Sequence, residues 1–292
     1  MIWSIAALLA IFSFLPVYSA ASNLANSADG TTFKYLVKHL VHLFLGFSIM
    51  FGVHKIPYRY FKGLSIVLIP VVLVLLAVTM FQAGDSESAT NARRWIKLPF
   101  VGFTFQPSTL ASVVLMSYIA RYLSKMKDNT ITFKESIIPL WMPVFLVLIL
   151  ILPANFSTAA IMFVLVLMLV FLGGYPIKYL GFILGAGIVA LSIFILIAKA
   201  FPDAMPNRVQ TWQSRIESFS DEGGKEAYQV EKAKIAIATG GTLGVGPGKS
   251  VQKNFLPQST SDFIYAIIVE EYGLVGGFLI VSIYFILLFR IF

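Results

Sequence analysis

The sequence predicts an all-α membrane protein: a polytopic transmembrane helix bundle of about eight spans, with a large extracytoplasmic loop between spans seven and eight. Three observations carry this. The chain of 292 residues is 58% hydrophobic and only 12% charged, more apolar surface than a water-soluble core of that length would bury. Its apolar residues fall into runs close to the ~20 residues needed to cross a bilayer. Its short connections are basic on alternate sides, as the positive-inside rule requires of a multi-span protein.

The runs lie near 2–20, 35–53, 63–82, 108–124, 137–153, 157–174, 179–200 and 271–291. The first has no basic stretch before it and is followed by further spans, so it reads as a transmembrane helix and not a cleaved signal. Pro16, Pro70, Pro139 and Pro143 fall within or near spans, where neighbouring helices can pair the backbone groups that a proline frees. Lys55, Arg59 and Lys62 follow the second run; Arg121, Lys125, Lys127 and Lys134 follow the fourth; Lys178 follows the sixth. These loops are assigned to the cytoplasm together with the N-terminus, which leaves 21–33, 83–107, 154–156 and about 201–261 outside.

The net charge of +8 does not form a continuous basic face, so no nucleic-acid partner is expected. Anionic lipid and membrane topology account for it better. The absence of cysteine rules out disulfides and thiolate metal sites. His39 and His42 stand three apart on the second run, with His54 at its inner end; a metal site and interfacial histidines are both open, the second being favoured because no carboxylate is close in sequence.

The outer segments are also basic, against the rule. Arg93 and Arg94 are adjacent beside Trp95, and two neighbouring guanidinium groups are best reconciled by a shared anion such as a pyrophosphate. The long segment 201–261 adds Arg208, Arg215, Lys249 and Lys253. Its 228–239 portion, YQVEKAKIAIAT, reads as an ordered amphipathic stretch, and glycines 240, 241, 244, 246 and 248 then predict a tight turn that lets backbone approach a headgroup or another loop. No βαβ pattern surrounds them, so a nucleotide site is not expected. Asp262, Glu270 and Glu271 stand at the mouth of the last span and either contact substrate or pair with Lys or Arg.

Several of these segments form one ordered set: NARRWI at 91–96, FQPS at 105–108, YQVEKAKIAIATGG at 228–241, LPQSTSDFIYA at 256–266 and EEYG at 270–273. Together they resemble the signatures of the SEDS family of peptidoglycan glycosyltransferases, over nearly the whole chain. GVGPGKSVQK at 244–253 is closer to the division-type members than to the elongation type. The resemblance implies one transmembrane domain over 1–292, the active site in the 201–261 loop, and a family bundle of ten helices; helices nine and ten would follow Phe292, so the chain is read as truncated.

The resemblance also implies the chemistry. The substrate would be lipid II, polymerised with inversion as undecaprenyl pyrophosphate departs. A loop aspartate shortly before YQ would be the general base; within RIESFSDEGGKEAYQ, Asp221 is the first candidate, Glu222 the second and Glu226 the third, without the family's flanking prolines. Candidate substrate-binding residues are Arg93, Arg94, Trp95, Gln106 and Ser108 in the first outer region. Arg208, Arg215, Tyr228, Gln229, Lys249, Gln252, Lys253, Asp262 and Glu270 are those of the second. No cofactor is certain, though a divalent cation (Mg or Mn) could share the pyrophosphate charge with the arginines. The family's QPSE-x-x-K ion pair is replaced by Thr109 and Ser112, and losing both partners leaves no orphan buried charge.

Expected partners are lipid II, a class B penicillin-binding protein that supplies transpeptidation, and other divisome membrane proteins, at the division septum of the bacterial inner membrane. The alternatives are a lipid II flippase and a non-catalytic divisome scaffold. Spans three, five, six and seven are almost wholly apolar, which speaks for chemistry outside the membrane over carriage through it.

Overall fold

A computed structural model describes residues 1–27, 32–81, 95–97, 104–126, 132–200, 225–256, 259 and 261–291. All eight apolar runs coincide with helices, and the chain is a multi-pass helical membrane protein. α1 (Ile2–Ser27), α2 (Thr32–Lys55) and α3 (Arg59–Phe81) are followed by a two-stranded antiparallel ladder, β1 (Ile96–Lys97) with β2 (Thr104–Phe105). Then come α4 (Pro107–Met126), α5 (Phe133–Ser136), a π-helical turn (Ile137–Trp141), α6 (Met142–Ile151), α7 (Phe156–Leu172) and α8 (Ile177–Ala200). α9 (Lys225–Gly240) and α10 (Ile264–Ile291) complete the order. Five helical stretches among the described residues are long and apolar enough to cross a bilayer unaided: 2–21, 33–55, 59–80, 133–151 and 264–291.

The chain divides into two compact units, one of Met1–Lys55 with Trp212–Phe292 and one of Ile56–Thr211. In the first, α1 is antiparallel to α2: Trp3 packs against Phe51 and His54, and further along Ser13 Oγ lies 2.8 Å from His39 Nε2. Each of these histidines thus has a partner between helices, and among the described residues no three His, Asp or Glu side chains gather as metal donors.

In the second unit the core is built from one face each of α3, α4, α6 and α7, including Val72, Leu115, Ile119, Val144, Val147, Met162 and Val166. The π turn has an identifiable cause. Pro143 has no N–H, so the carbonyl of Pro139 loses its helical donor. The Tyr118 hydroxyl takes its place, donating to Pro139 O at 2.7 Å. Beside it, Ser136 Oγ, Tyr175 Oη and Trp141 Nε1 form a buried triad, with Trp141 donating to Tyr175 at 3.2 Å and the two hydroxyls 2.6 Å apart. Tyr118→Phe should therefore destabilise this unit by about 1 kcal/mol, the usual scale of an interhelical hydrogen bond in a membrane, read as a lower midpoint of unfolding in mixed micelles. Asn155 caps α7, its Oδ1 accepting from Thr158 N at 3.3 Å.

Candidate functional site

The amphipathic stretch expected at 228–239 is α9, which packs along α10 in the first unit. α10 differs from the span expected at 271–291: it begins at Ile264 and is broken at Gly273, whose φ of 69° and ψ of −174° belong to a region open essentially to glycine alone. The break follows from what docks there. A continuous helix would join Leu274 N to Glu270 O and Val275 N to Glu271 O. Instead the glycine-rich turn takes over all four groups. Val245 N donates to Glu270 O at 2.9 Å and Gly246 N to Glu271 O at 3.0 Å, while Leu274 N donates to Gly241 O at 2.9 Å and Val275 N to Thr242 O at 3.3 Å. The helix loses two bonds and the turn supplies four, so all four of these backbone groups are paired.

Such pairing needs main chains in contact. A Cβ on Gly240 would lie 2.1 Å from Val269 O, and one on Gly244 2.2 Å from Glu271 O, positions no side chain could hold. The close backbone approach expected of these glycines is thus present, and its target is α10.

The side chains of Glu270 and Glu271 extend the same junction. Glu270 is fully buried; its Oε2 accepts from Ser250 Oγ, and its Oε1 from Val251 N at 3.0 Å and Gln252 N at 3.4 Å. The sequence left Glu270 between substrate contact and ion pairing, and these bonds make it the anchor of the turn at 250–252. Glu271, 1% exposed, accepts through Oε1 from Ser250 N at 3.4 Å and from the Ser19 hydroxyl of α1. Lys253 Nζ completes the network, donating to Gly248 O at 2.8 Å and Ser19 Oγ at 3.3 Å. Here a lysine from the candidate substrate set also ties the loop to α1. By the charge rule, this junction lies at the extracytoplasmic ends of α1 and α10.

The remaining candidates are placed as follows. Tyr228 and Gln229 lie near the start of α9, and Lys232 Nζ sits over both the Tyr228 ring, at 5.2 Å, and the Phe255 ring, at 5.4 Å, so that α9 is clasped to the chain after the 3₁₀ turn Gln252–Asn254. Lys249 and Asp262 are exposed, and Gln252 has its buried Oε1 without a hydrogen bond. In the second unit the ladder pairs Ile96 with Phe105, which sets Trp95 beside Gln106, and Ser108 is buried in the first turn of α4. Thr109 and Ser112 are a turn apart there, the Ser112 hydroxyl donating to Thr109 O at 2.8 Å. Arg93, Arg94, Arg208, Arg215, Asp221 and Glu222 lie outside the described residues, as does the side chain of Glu226.

Ser19 and Ser250 are the junction residues that sequence reasoning did not place in the site, and Glu271, left there between substrate contact and ion pairing, is bound by the two serines. A lone serine in an apolar run carries no signal of a partner 252 residues away. The glycine after the acidic pair, within EEYG, was the available hint of a break.

Comparison with known proteins agrees with this architecture. The model of the cell cycle protein family FtsW/RodA/SpoVE matches residues 1–292. Among similar proteins, a probable peptidoglycan glycosyltransferase FtsW of Alcanivorax borkumensis is 32% identical over all of this chain and 74% of its own length. One of the same name from Geobacter sulfurreducens is 31% identical over 97% of this chain and 73% of its own. Among solved structures, a chain of a peptidoglycan synthase complex that coordinates polymerization and crosslinking superposes with a TM-score of 0.69 at 22% identity, covering 100% of this chain and 76% of that one. A rod-shape-determining protein RodA of Thermus thermophilus gives 0.60 at 20% identity, covering 100% and 73%. With the family model matched along its whole length and its helices laid out as in those structures, the chain belongs to the FtsW/RodA/SpoVE family of cell cycle proteins.

Proposed function

We propose that this chain is a peptidoglycan glycosyltransferase that polymerises lipid II into glycan strands during septal cell-wall synthesis. The observation that carries the reading is the docking of the glycine-rich turn into the break of α10, because it holds α9, with Tyr228 and Gln229 near its start, at a defined place on the first unit. The glycosyltransferase names of the similar proteins support it.

In the proposed reaction the 4-hydroxyl oxygen of an acceptor GlcNAc attacks the anomeric carbon of a second lipid-linked saccharide from the face opposite its leaving group. The glycosidic C–O bond forms as the bond from that carbon to pyrophosphate breaks, inverting the centre. The hydroxyl proton passes to the Asp221 carboxylate, with Glu222 as the alternative acceptor. Undecaprenyl pyrophosphate leaves as an anion, needing positive charge more than a proton, and Arg93, Arg94, Arg208 and Arg215 are the candidates to meet it. A bound divalent cation, Mg or Mn, would add to that charge. Transpeptidation would come from a class B penicillin-binding protein, in line with the coupling of polymerization to crosslinking in the similar synthase complex.

The test is polymerisation of purified lipid II by the reconstituted protein with its transpeptidase. Asp221→Asn should lower the rate by about 10²–10⁴, the usual contribution of a general base. Equal product from wild type and Asp221→Asn would remove Asp221 from the role. Translocation of lipid II without any polymer would favour the transporter reading instead.

A further inference from the structure

At the end of the first unit opposite the loop junction, the start of α1 and the ends of α2 and α10 enclose an open pocket of about 440 Å³, lined by Met1, Ile2, Trp3, Met50, His54 and Arg290. We propose that it binds the phosphate headgroup of an anionic glycerophospholipid.

Charge is the first argument. Lys55 and Arg290 stand in the last turns of α2 and α10, with His54 beside them, and neither α1, α2 nor the 274–291 part of α10 contains an Asp or Glu. The two helix C-termini contribute only about half a negative charge each, which leaves this end of the three helices positive.

Shape and composition are the second. One wall is aromatic and apolar: the Trp3 ring meets His54 edge-on at 6.2 Å and Phe51 at 6.4 Å, with Ile2 and Met50 alongside. The Lys55 ammonium lies 5.3 Å over the face of Phe51. A basic rim above an aromatic floor suits a phosphodiester with acyl chains attached, the guanidinium gripping phosphate oxygens while the indole sits at headgroup depth. The positive-inside rule puts this end at the cytoplasmic leaflet, where basic pockets between helices meet anionic lipid.

The test is independent of the polymerase chemistry at the other end of the helices. The intact protein is stripped of lipid in neutral detergent and titrated with phosphatidylglycerol, with phosphatidylcholine of equal chain length, and with inorganic phosphate, bound species being counted by native mass spectrometry. Phosphatidylglycerol should be retained over phosphatidylcholine. Arg290→Gln with His54→Gln should weaken that retention by about tenfold or more, as expected on losing a charge-assisted contact. Arg290→Lys should weaken it less, and Lys125→Gln, an exposed basic residue of the second unit, should leave it unchanged. Equal retention of phosphatidylcholine, undiminished retention in the double variant, or displacement of the lipid by millimolar phosphate would each overturn the proposal.

Discussion

Gly273→Ala is expected to lower the proposed polymerisation of lipid II by about a hundredfold by expelling the glycine-rich turn from α10. The native φ of 69° with ψ of −174° costs a residue bearing a Cβ about 1–3 kcal/mol. The added methyl would also stand 2.2 Å from Thr242 O, a backbone atom fixed by its own bond from Val275 N. Both penalties vanish if α10 straightens, since Leu274 N and Val275 N can then return to Glu270 O and Glu271 O. The variant should therefore remain helical and inserted while the turn undocks, and about 3 kcal/mol of strain corresponds to a fall of roughly a hundredfold in the docked population. Because the chain has no native cysteine, Thr242→Cys with Val275→Cys gives a clean readout. A bifunctional thiol reagent should link them in the otherwise wild-type protein and fail to do so once Gly273→Ala is added. Undiminished crosslinking together with full polymerisation would show that the break does not position the loop.

Removing the carboxylates should have an effect of similar size through a different route. Glu270→Ala leaves the buried Ser250 hydroxyl and the half-buried amides of Val251 and Gln252 without their acceptor. Glu271→Ala does the same to Ser250 N and cuts the connection to Ser19 on α1. Leaving a buried donor unsatisfied costs about 1–3 kcal/mol, and several lost together are enough to release the loop. The amide replacements separate geometry from charge: Glu270→Gln keeps a carbonyl for the two amides and should retain more loop docking than Glu270→Ala. Resistance to limited proteolysis across 241–256 and the polymerisation rate should fall in the same order, from wild type through Glu270→Gln to Glu270→Ala. Equal behaviour of Gln and Ala at position 270 would show that the acceptor oxygen is not what holds the turn.

Much of the fold was legible because lipid imposes a simple demand. A run of about 20 apolar residues in a bilayer has to pair its own backbone, and a helix does so whatever its neighbours. That is why 35–53 and 63–82 could be read directly as α2 and α3. The 228–239 stretch was readable as an ordered amphipathic segment, and the structure makes it α9. The 240–248 glycines announced a tight approach but not its target.

The break at Gly273 was not legible. EEYGLVGG is compatible with an unbroken helix, and glycine inside a span disfavours it by only about 1 kcal/mol. What stabilises the broken form is four hydrogen bonds to a segment some thirty residues earlier, which exist only once the loop is folded. The π turn is similar: Pro139 and Pro143 signal a distortion, but the donor that makes it tolerable, Tyr118, comes from another helix. The short β1–β2 ladder was likewise unexpected in an all-α reading, since two residues per strand leave no periodicity to detect.

By itself, then, the sequence determined the solvent, the helices and the family. Only the tertiary structure decided that Glu270 and Glu271 anchor a loop, that Ser19 in the first span is their partner, and that the last long helix is broken where that loop enters. The physical reason is burial: a carboxylate withdrawn from water must take its donors from whatever the fold brings within about 3 Å, and those donors come from the far ends of the chain.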